Sequence, residues 1–153
     1  MGTVERVFVA GGGGQPMRPV DEVQAVAGRG LDGDRYATRR GYWTDVDECQ
    51  VTLIAGEDLD AITESSGVAV QDGQHRRNIV TRDVPLNHLV GRRFKVGSVT
   101  LSGIRLCEPC SHLEKLIGDG VKRGLIHRGG LRAQILSEGT IRVGDPVEID
   151  DPR

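Results

Sequence analysis

The stretch Arg105-Leu106-Cys107-Glu108-Pro109-Cys110-Ser111-His112 gathers the side chains best suited to chemistry. Two thiols in Cys-x-x-Cys spacing stand directly before Ser111-His112-Leu113-Glu114, which matches a helix capping box. Cys110 therefore precedes an N-cap, where unpaired backbone N–H groups and the positive end of the helix dipole favour the thiolate. Arg105 and Lys115 add positive charge nearby. A thiolate in that position either attacks a substrate or ligates a metal. Three readings of the pair compete: two small buried hydrophobes, a thioredoxin-like redox pair and a zinc site. The neighbours Glu108, Pro109 and Ser111 speak against burial. A thioredoxin-like motif follows an early strand of a βαβ unit, whereas this one comes late in a β-rich chain. A zinc site asks for four Cys or His ligands in paired spacing, and Cys49, His75, His88 and His127 offer no such pairing. His112 is a candidate proton donor because imidazole titrates near neutral pH, and as a first-turn residue it suits a solvated surface equally well.

Two basic clusters flank this stretch. Arg76-Arg77-Asn78 opens a strand-like run, and Arg128-Gly129-Gly130 follows the capped helix. Arginine donates charge-assisted hydrogen bonds to phosphate, and glycine lets backbone approach a ligand closely. With a soft thiolate between them, the clusters point to an anionic ligand carrying a soft metal. The charge distribution agrees. The net charge of −2 is the balance of −7 over residues 1–74, +8 over 75–132 and −3 over 133–153. A middle segment this basic concentrates anions around it, unless its neighbours in the fold neutralise it. Nucleic acid is excluded as the partner, since five aromatics offer no stacking platform and the pI is about 6.1.

The elements that must position these residues are mostly strands. Val4–Ala10, Val23–Ala27, Val51–Ile54, Asn78–Thr81 and Leu131–Leu136 read as strands. Phe94, Val96, Val99, Leu101, Ile104 and Leu106 carry the strongest β signal, with a turn at Gly97-Ser98. Ile141–Ile149 reads as two strand pieces around a Gly-Asp-Pro turn. Glu57–Glu64, acidic in its first turn and with Leu59 and Ile62 three apart, is a helix ending near Gly67. Pro85–Val90 forms a helical turn, and the helix from Ser111 presents Leu113, Leu116 and Ile117 on one face. Gly11–Gly14 is a flexible turn without a phosphate-loop ending, and Gly30–Tyr36 is a turn cluster too polar for the core.

At 153 residues, with 37% hydrophobic and 27% charged residues, the chain is one domain with a real core. Its 22 glycines, well above the usual level of about 7%, are scattered as turns between short apolar runs. Many short strands and few helices predict a mainly β fold, a compact single-domain β-barrel over residues 1–153. No apolar stretch is long enough to span a membrane, and no basic n-region followed by an apolar h-region opens the chain. Three cysteines without an export signal indicate a reducing cytoplasm, with Cys49 structural beside the Val51–Ile54 strand.

Five segments in order extend these readings: Gly30-Leu31-Asp32-Gly33-Asp34-Arg35, Arg76-Arg77-Asn78-Ile79-Val80, Leu89-Val90-Gly91 with Phe94-Lys95-Val96-Gly97, Cys107-Glu108-Pro109-Cys110, and Gly139-Thr140-Ile141-Arg142-Val143-Gly144-Asp145-Pro146-Val147. Together they resemble the MOSC domain family, named for the C-terminal region of molybdenum cofactor sulfurase, in its bacterial stand-alone form. The resemblance implies a β-barrel that binds molybdenum cofactor (molybdopterin), a pterin dithiolene with a terminal phosphate. It implies Cys110 as the molybdenum ligand, with Arg76 and Asn78 on the pterin or its phosphate. Cys107, Arg105, Arg128 and Gly129 join the expected cofactor-binding set. Active members reduce N-hydroxylated compounds; others, fused to a cysteine desulfurase, help sulfurate the cofactor. The implied function is an oxidoreductase acting on N-hydroxylated small molecules with electrons from a separate reductase. The alternatives are a carrier of cofactor or of a persulfide on Cys110, serving a sulfurase or molybdoenzyme, and a Cys107–Cys110 redox protein. Pyridoxal phosphate would belong to a desulfurase partner. Larger reductases of the family enclose the cofactor with an extra β-rich domain, so here either a second subunit, as in a homodimer, completes the site or the protein only carries cofactor or sulfur.

Overall fold

The computed structural model describes residues 2–10, 17–34, 50–66, 77–106 and 130–149. In chain order they form β1 (Gly2–Val9), β2 (Arg18–Val20), β3 (Glu22–Val26), β4 (Gly30–Leu31), β5 (Val51–Ala55), the helix α1 (Gly56–Ser66), β6 (Ile79–Arg82), a 3-10 turn at Leu86–His88, β7 (Arg93–Val96), β8 (Val99–Leu106), β9 (Leu131–Ile135), β10 (Gly139–Arg142) and β11 (Pro146–Ile149). Seven strands run side by side in the order β11-β7-β8-β9-β5-β6-β1, and β1 pairs back onto β11 to close a barrel. β2 lies against β1 outside the ring, and β10, β3 and β4 make a second, three-stranded sheet.

Alternation in the sequence dictates which face turns inward. Val99, Leu101 and Gly103 of β8 are buried between half-buried neighbours, as are Leu131, Ala133 and Ile135 of β9. Leu53, Phe94, Leu101 and Leu131 fill the interior, each essentially inaccessible to solvent. Burial of side chains of this size contributes about 1.5–3 kcal/mol each. The barrel is therefore a packed core and not a channel.

β5 and β6 are parallel neighbours in the barrel, and α1 lies in the connection between them. Parallel neighbours need a long crossover, which explains a helix at this point among the strands. α1 packs on β5 and β6, and the adjoining wall is buried on its outer side too. Phe8, Ile54 and Val80 alternate with the inward Val7, Leu53 and Ile79, yet all are buried, as is Leu59 of α1. At the end of β6, Arg82 Nε meets Glu5 Oε2 and Arg82 Nη2 meets Asp60 Oδ2, both at 2.8 Å. Hydrogen bonds to Glu5 and then Asp60 raise the guanidinium pKa still further above its ordinary value.

The mainly β barrel expected from the sequence is the fold observed, and α1 begins one residue earlier than its acidic first turn suggested. β2 and β4 are additions: at three and two residues they are too short to show periodicity. The reading of Gly30–Tyr36 as too polar for the core is corrected over its described part. Leu31 and Asp34 are both fully buried. Asp34 is accommodated because its Oδ1 accepts the Ala10 backbone N–H at 3.0 Å, and its own N–H closes a turn onto the Leu31 carbonyl. The helix expected from Ser111 lies outside the described residues.

Candidate functional site

Asn78 stands at the entrance to β6, where it ties three strands together. Its Oδ1 accepts from the Thr52 backbone N–H at 3.0 Å and from the Thr52 hydroxyl at 3.1 Å. Its Nδ2 donates to the Phe8 carbonyl at 3.1 Å. The Asn78 backbone N–H donates to Thr52 Oγ1, and its carbonyl accepts from the Phe8 N–H. The side chain is fully buried. Asn78 thus fixes β5, β6 and β1 relative to one another and sets where Arg77, the residue before it, enters the wall.

β8 carries a bulge between Gly103 and Arg105 in its pairing with β9. Strict alternation from Val99, Leu101 and Gly103 would turn Arg105 inward. The extra residue reverses that phase, so Leu106 packs against the core opposite Leu131, and Arg105 is exposed opposite Arg132. Arg132, between the inward Leu131 and Ala133, faces outward as well. Arg132 in turn pairs with Thr52 of β5, which is bonded to Asn78. Arg105, Arg132, Thr52 and Asn78 therefore form one lateral row on adjacent strands. Three strand spacings separate its ends, roughly 15 Å.

This wall suits an anion. Strands β8, β9, β5 and β6 contain Arg105, Arg132 and Arg82 and no Asp or Glu. Arg82 is held by Glu5 and Asp60, and the other two arginines lie on β8 and β9. Arg6 extends it beyond the far end of the row, with its guanidinium 4.8 Å from the centroid of the Phe8 ring. Two surface pockets elsewhere do not suit an anion. One, of about 350 Å³, is lined by the carboxylates of Glu57 and Asp58 with His88. The other, of about 430 Å³, lies between Val84, Pro85 and Ile149 with Asp83 and Glu148. Neither contains Arg or Lys.

Of the residues singled out in the sequence, the described ones are Asn78 and Arg105, which share the row. Cys107, Cys110, His112, Arg76, Arg128, Gly129 and Cys49 lie outside the described residues. Gly130, next to Gly129, is described. Its φ is +99°, and a Cβ there would collide with the Leu53 carbonyl, so this glycine serves close packing of β9 on β5. Sequence reading missed Arg132 and Thr52. Their signal was present as outward positions in alternating strands, but the register that sets Arg132 beside Arg105 depends on the bulge.

The MOSC domain family model matches residues 40–148. The chain belongs to the MOSC domain family, a family associated with the molybdenum cofactor. Its structure is similar to that of the YuaD protein from Bacillus subtilis, with a TM-score of 0.83 at 16% identity over 100% of this chain and 98% of that one. It is also similar to YiiM from Geobacillus stearothermophilus, with a TM-score of 0.75 at 15% identity over 97% and 75% of the two chains. For YiiM from Escherichia coli the TM-score is 0.71 at 15% identity over 98% and 70%. At such identities the likeness is one of fold. Among curated proteins, none matches this sequence. Among the described residues, no helix is long and apolar enough to cross a membrane.

Proposed function

We propose that this chain binds molybdenum cofactor at the end of β8 and reduces N-hydroxylated small molecules in the cytoplasm. The observation that carries the reading is the anion-receptive wall of β8 and β9, which contains two arginines and no carboxylate, with Cys107 following directly on Leu106. The Cys110 thiolate would hold the molybdenum, with Cys107 beside it. Arg105, Arg76, Arg128 and the Gly129 backbone would bind the pterin and its phosphate. Asn78 would serve by holding the strand that delivers Arg76 and Arg77. When bound, the cofactor supplies two-electron redox chemistry. Reducing an N–OH group takes two electrons and two protons and releases water. The electrons would come from a separate reductase, and His112 would deliver a proton to the departing oxygen. A homodimer would enclose the open side of the site.

The test is metal analysis of the full chain purified from cofactor-replete cells, followed by turnover. About one molybdenum per chain, lost in Cys110→Ser, together with reductant-dependent conversion of a hydroxylamine, is the expected result. Molybdenum bound without turnover would replace the reductase reading with a carrier. No molybdenum in the wild-type chain, with activity that depends on Cys107, would replace it with thiol–disulfide exchange.

A further inference from the structure

We propose that Arg105 and Arg132, brought side by side by the β8 bulge, form a two-guanidinium clamp for a phosphate monoester. The cofactor reading supplies the natural ligand, the terminal phosphate of a pterin; the clamp itself rests on the strand geometry.

Three observations carry it. First, the two arginines are direct cross-strand partners on one face of an antiparallel pair, where Cβ atoms lie about 4.5–5.5 Å apart. Like charges in that relation repel, and a doubly charged anion between them reverses the sign of the interaction. Second, the pairing exists only because of the bulge. Without it Arg105 would turn toward the interior, and bulges are a recurrent means of re-aiming a side chain toward a ligand. Third, neither β8 nor β9 has a carboxylate of its own. Both arginines also have interactions within the chain. Each guanidinium carries five N–H donors, so it keeps capacity for a bidentate grip on phosphate while making other contacts.

Arg132 is the residue this adds. It sits on β9 within a few residues of Arg128 and Gly129, while Arg105 sits on β8 just before Cys107. The clamp would thus hold the phosphate at the base of the segment that carries Cys110, one anchor on each strand.

The experiment uses the full chain in two states. In the cofactor-free state, inorganic phosphate is titrated at constant ionic strength against chloride, with melting temperature and calorimetry as readouts. Wild type is expected to gain stability with phosphate, whereas Arg132→Gln and Arg105→Gln bind it at least about tenfold more weakly. Arg132→Lys, which keeps the charge and loses the planar fork, should fall between. Without phosphate, Arg132→Gln should melt within about 2 °C of wild type, because the half-buried side chain faces outward and Gln keeps part of its apolar stem and a hydrogen-bond donor. A purely structural role would lower that temperature and leave the phosphate response intact. In the second state, pterin and molybdenum per chain are measured after purification from cofactor-replete cells, and both should drop in Arg132→Gln. Phosphate binding that is equal in wild type and both Gln variants would overturn the clamp, whatever the molybdenum content. Arginine-dependent phosphate binding in a wild-type chain devoid of pterin would uphold the clamp and reject the cofactor reading.

Discussion

Two polar residues three positions apart, Asn78 at the entrance to β6 and Thr81 within it, are buried with opposite consequences. Asn78 has its side-chain oxygen and one amide hydrogen engaged by Thr52 and Phe8. Thr81, equally buried, has no hydrogen-bond partner for its hydroxyl. A buried polar group left without a partner costs about 1–3 kcal/mol. Asn78→Ala would orphan the Thr52 N–H and remove a donor from the Phe8 carbonyl, so a loss of about 2–4 kcal/mol is expected. The melting temperature should fall by roughly 5–15 °C. Thr81→Val should do the reverse. It exchanges the unsatisfied hydroxyl for a methyl of the same shape, facing Val4 and Ala55 across the two neighbouring strands. A gain of about 1 kcal/mol and a rise of a few degrees in a thermal melt are expected. A fall on Thr81→Val would show that the hydroxyl is satisfied after all, for example by a buried water. The sequence singles out Asn78 without revealing its partners, because Thr52 and Phe8 lie 26 and 70 residues away along the chain. Such bonds follow from register, and no local pattern encodes them.

At the scale of elements, what was legible is what periodicity encodes. The run Phe94 to Leu106 announced β7 and β8 because buried residues recur on one face, and the acidic first turn of Glu57–Glu64 announced α1. The phase of that run already contained the bulge. Val99 and Leu101 are two apart, but Ile104 and Leu106 fall on the other parity, and the structure resolves the change by inserting an extra residue before Arg105. What could not be read was the partner of each strand. Arg132 became part of the site only when β9 was seen opposite β8, and Arg105 then changed from a residue near a cysteine to half of a pair. The short β4 was illegible for a different reason. Its flanking Asp32, Gly33 and Asp34 carry a turn composition, yet Asp34 is drawn inside, where it accepts the Ala10 N–H. Turn chemistry was read correctly there and burial was not, since burial of a carboxylate depends on a donor from far along the chain, here the Ala10 N–H just past the end of β1.

For the whole molecule, the defining fact is closure, and closure is unevenly made. The seam between β1 and β11 consists of the pairs Gly2–Val147 and Thr3–Pro146, extended by backbone bonds from Val4 to Asp145 and from Gly144 to Val4. β8 and β9 by contrast pair from Leu101–Ile135 to Leu106–Leu131. Side chains differ in the same sense. β9 alternates fully buried Leu131 and Ala133, whereas β11 buries Val147 and leaves Ile149 44% exposed. Local opening follows the elements with the fewest buried contacts and the most exposed backbone bonds. The barrel should therefore open first along β11, with β8, β9 and the row from Arg105 to Asn78 still intact. Native-state hydrogen exchange tests this directly. The Val147 amide, on the strand that closes the ring, should exchange by a sub-global opening with a smaller denaturant dependence than global unfolding, whereas Leu101 and Ala133 should exchange only on global unfolding. Filling the clamp with phosphate should then raise the protection of Arg132 and Ala133 more than that of Val147, because the ligand would stabilise strands that lie away from the seam. Equal protection at Val147 and Ala133, with a common denaturant dependence, would mean that the barrel opens as one unit and that its closing strand is no weaker than the wall that carries the site.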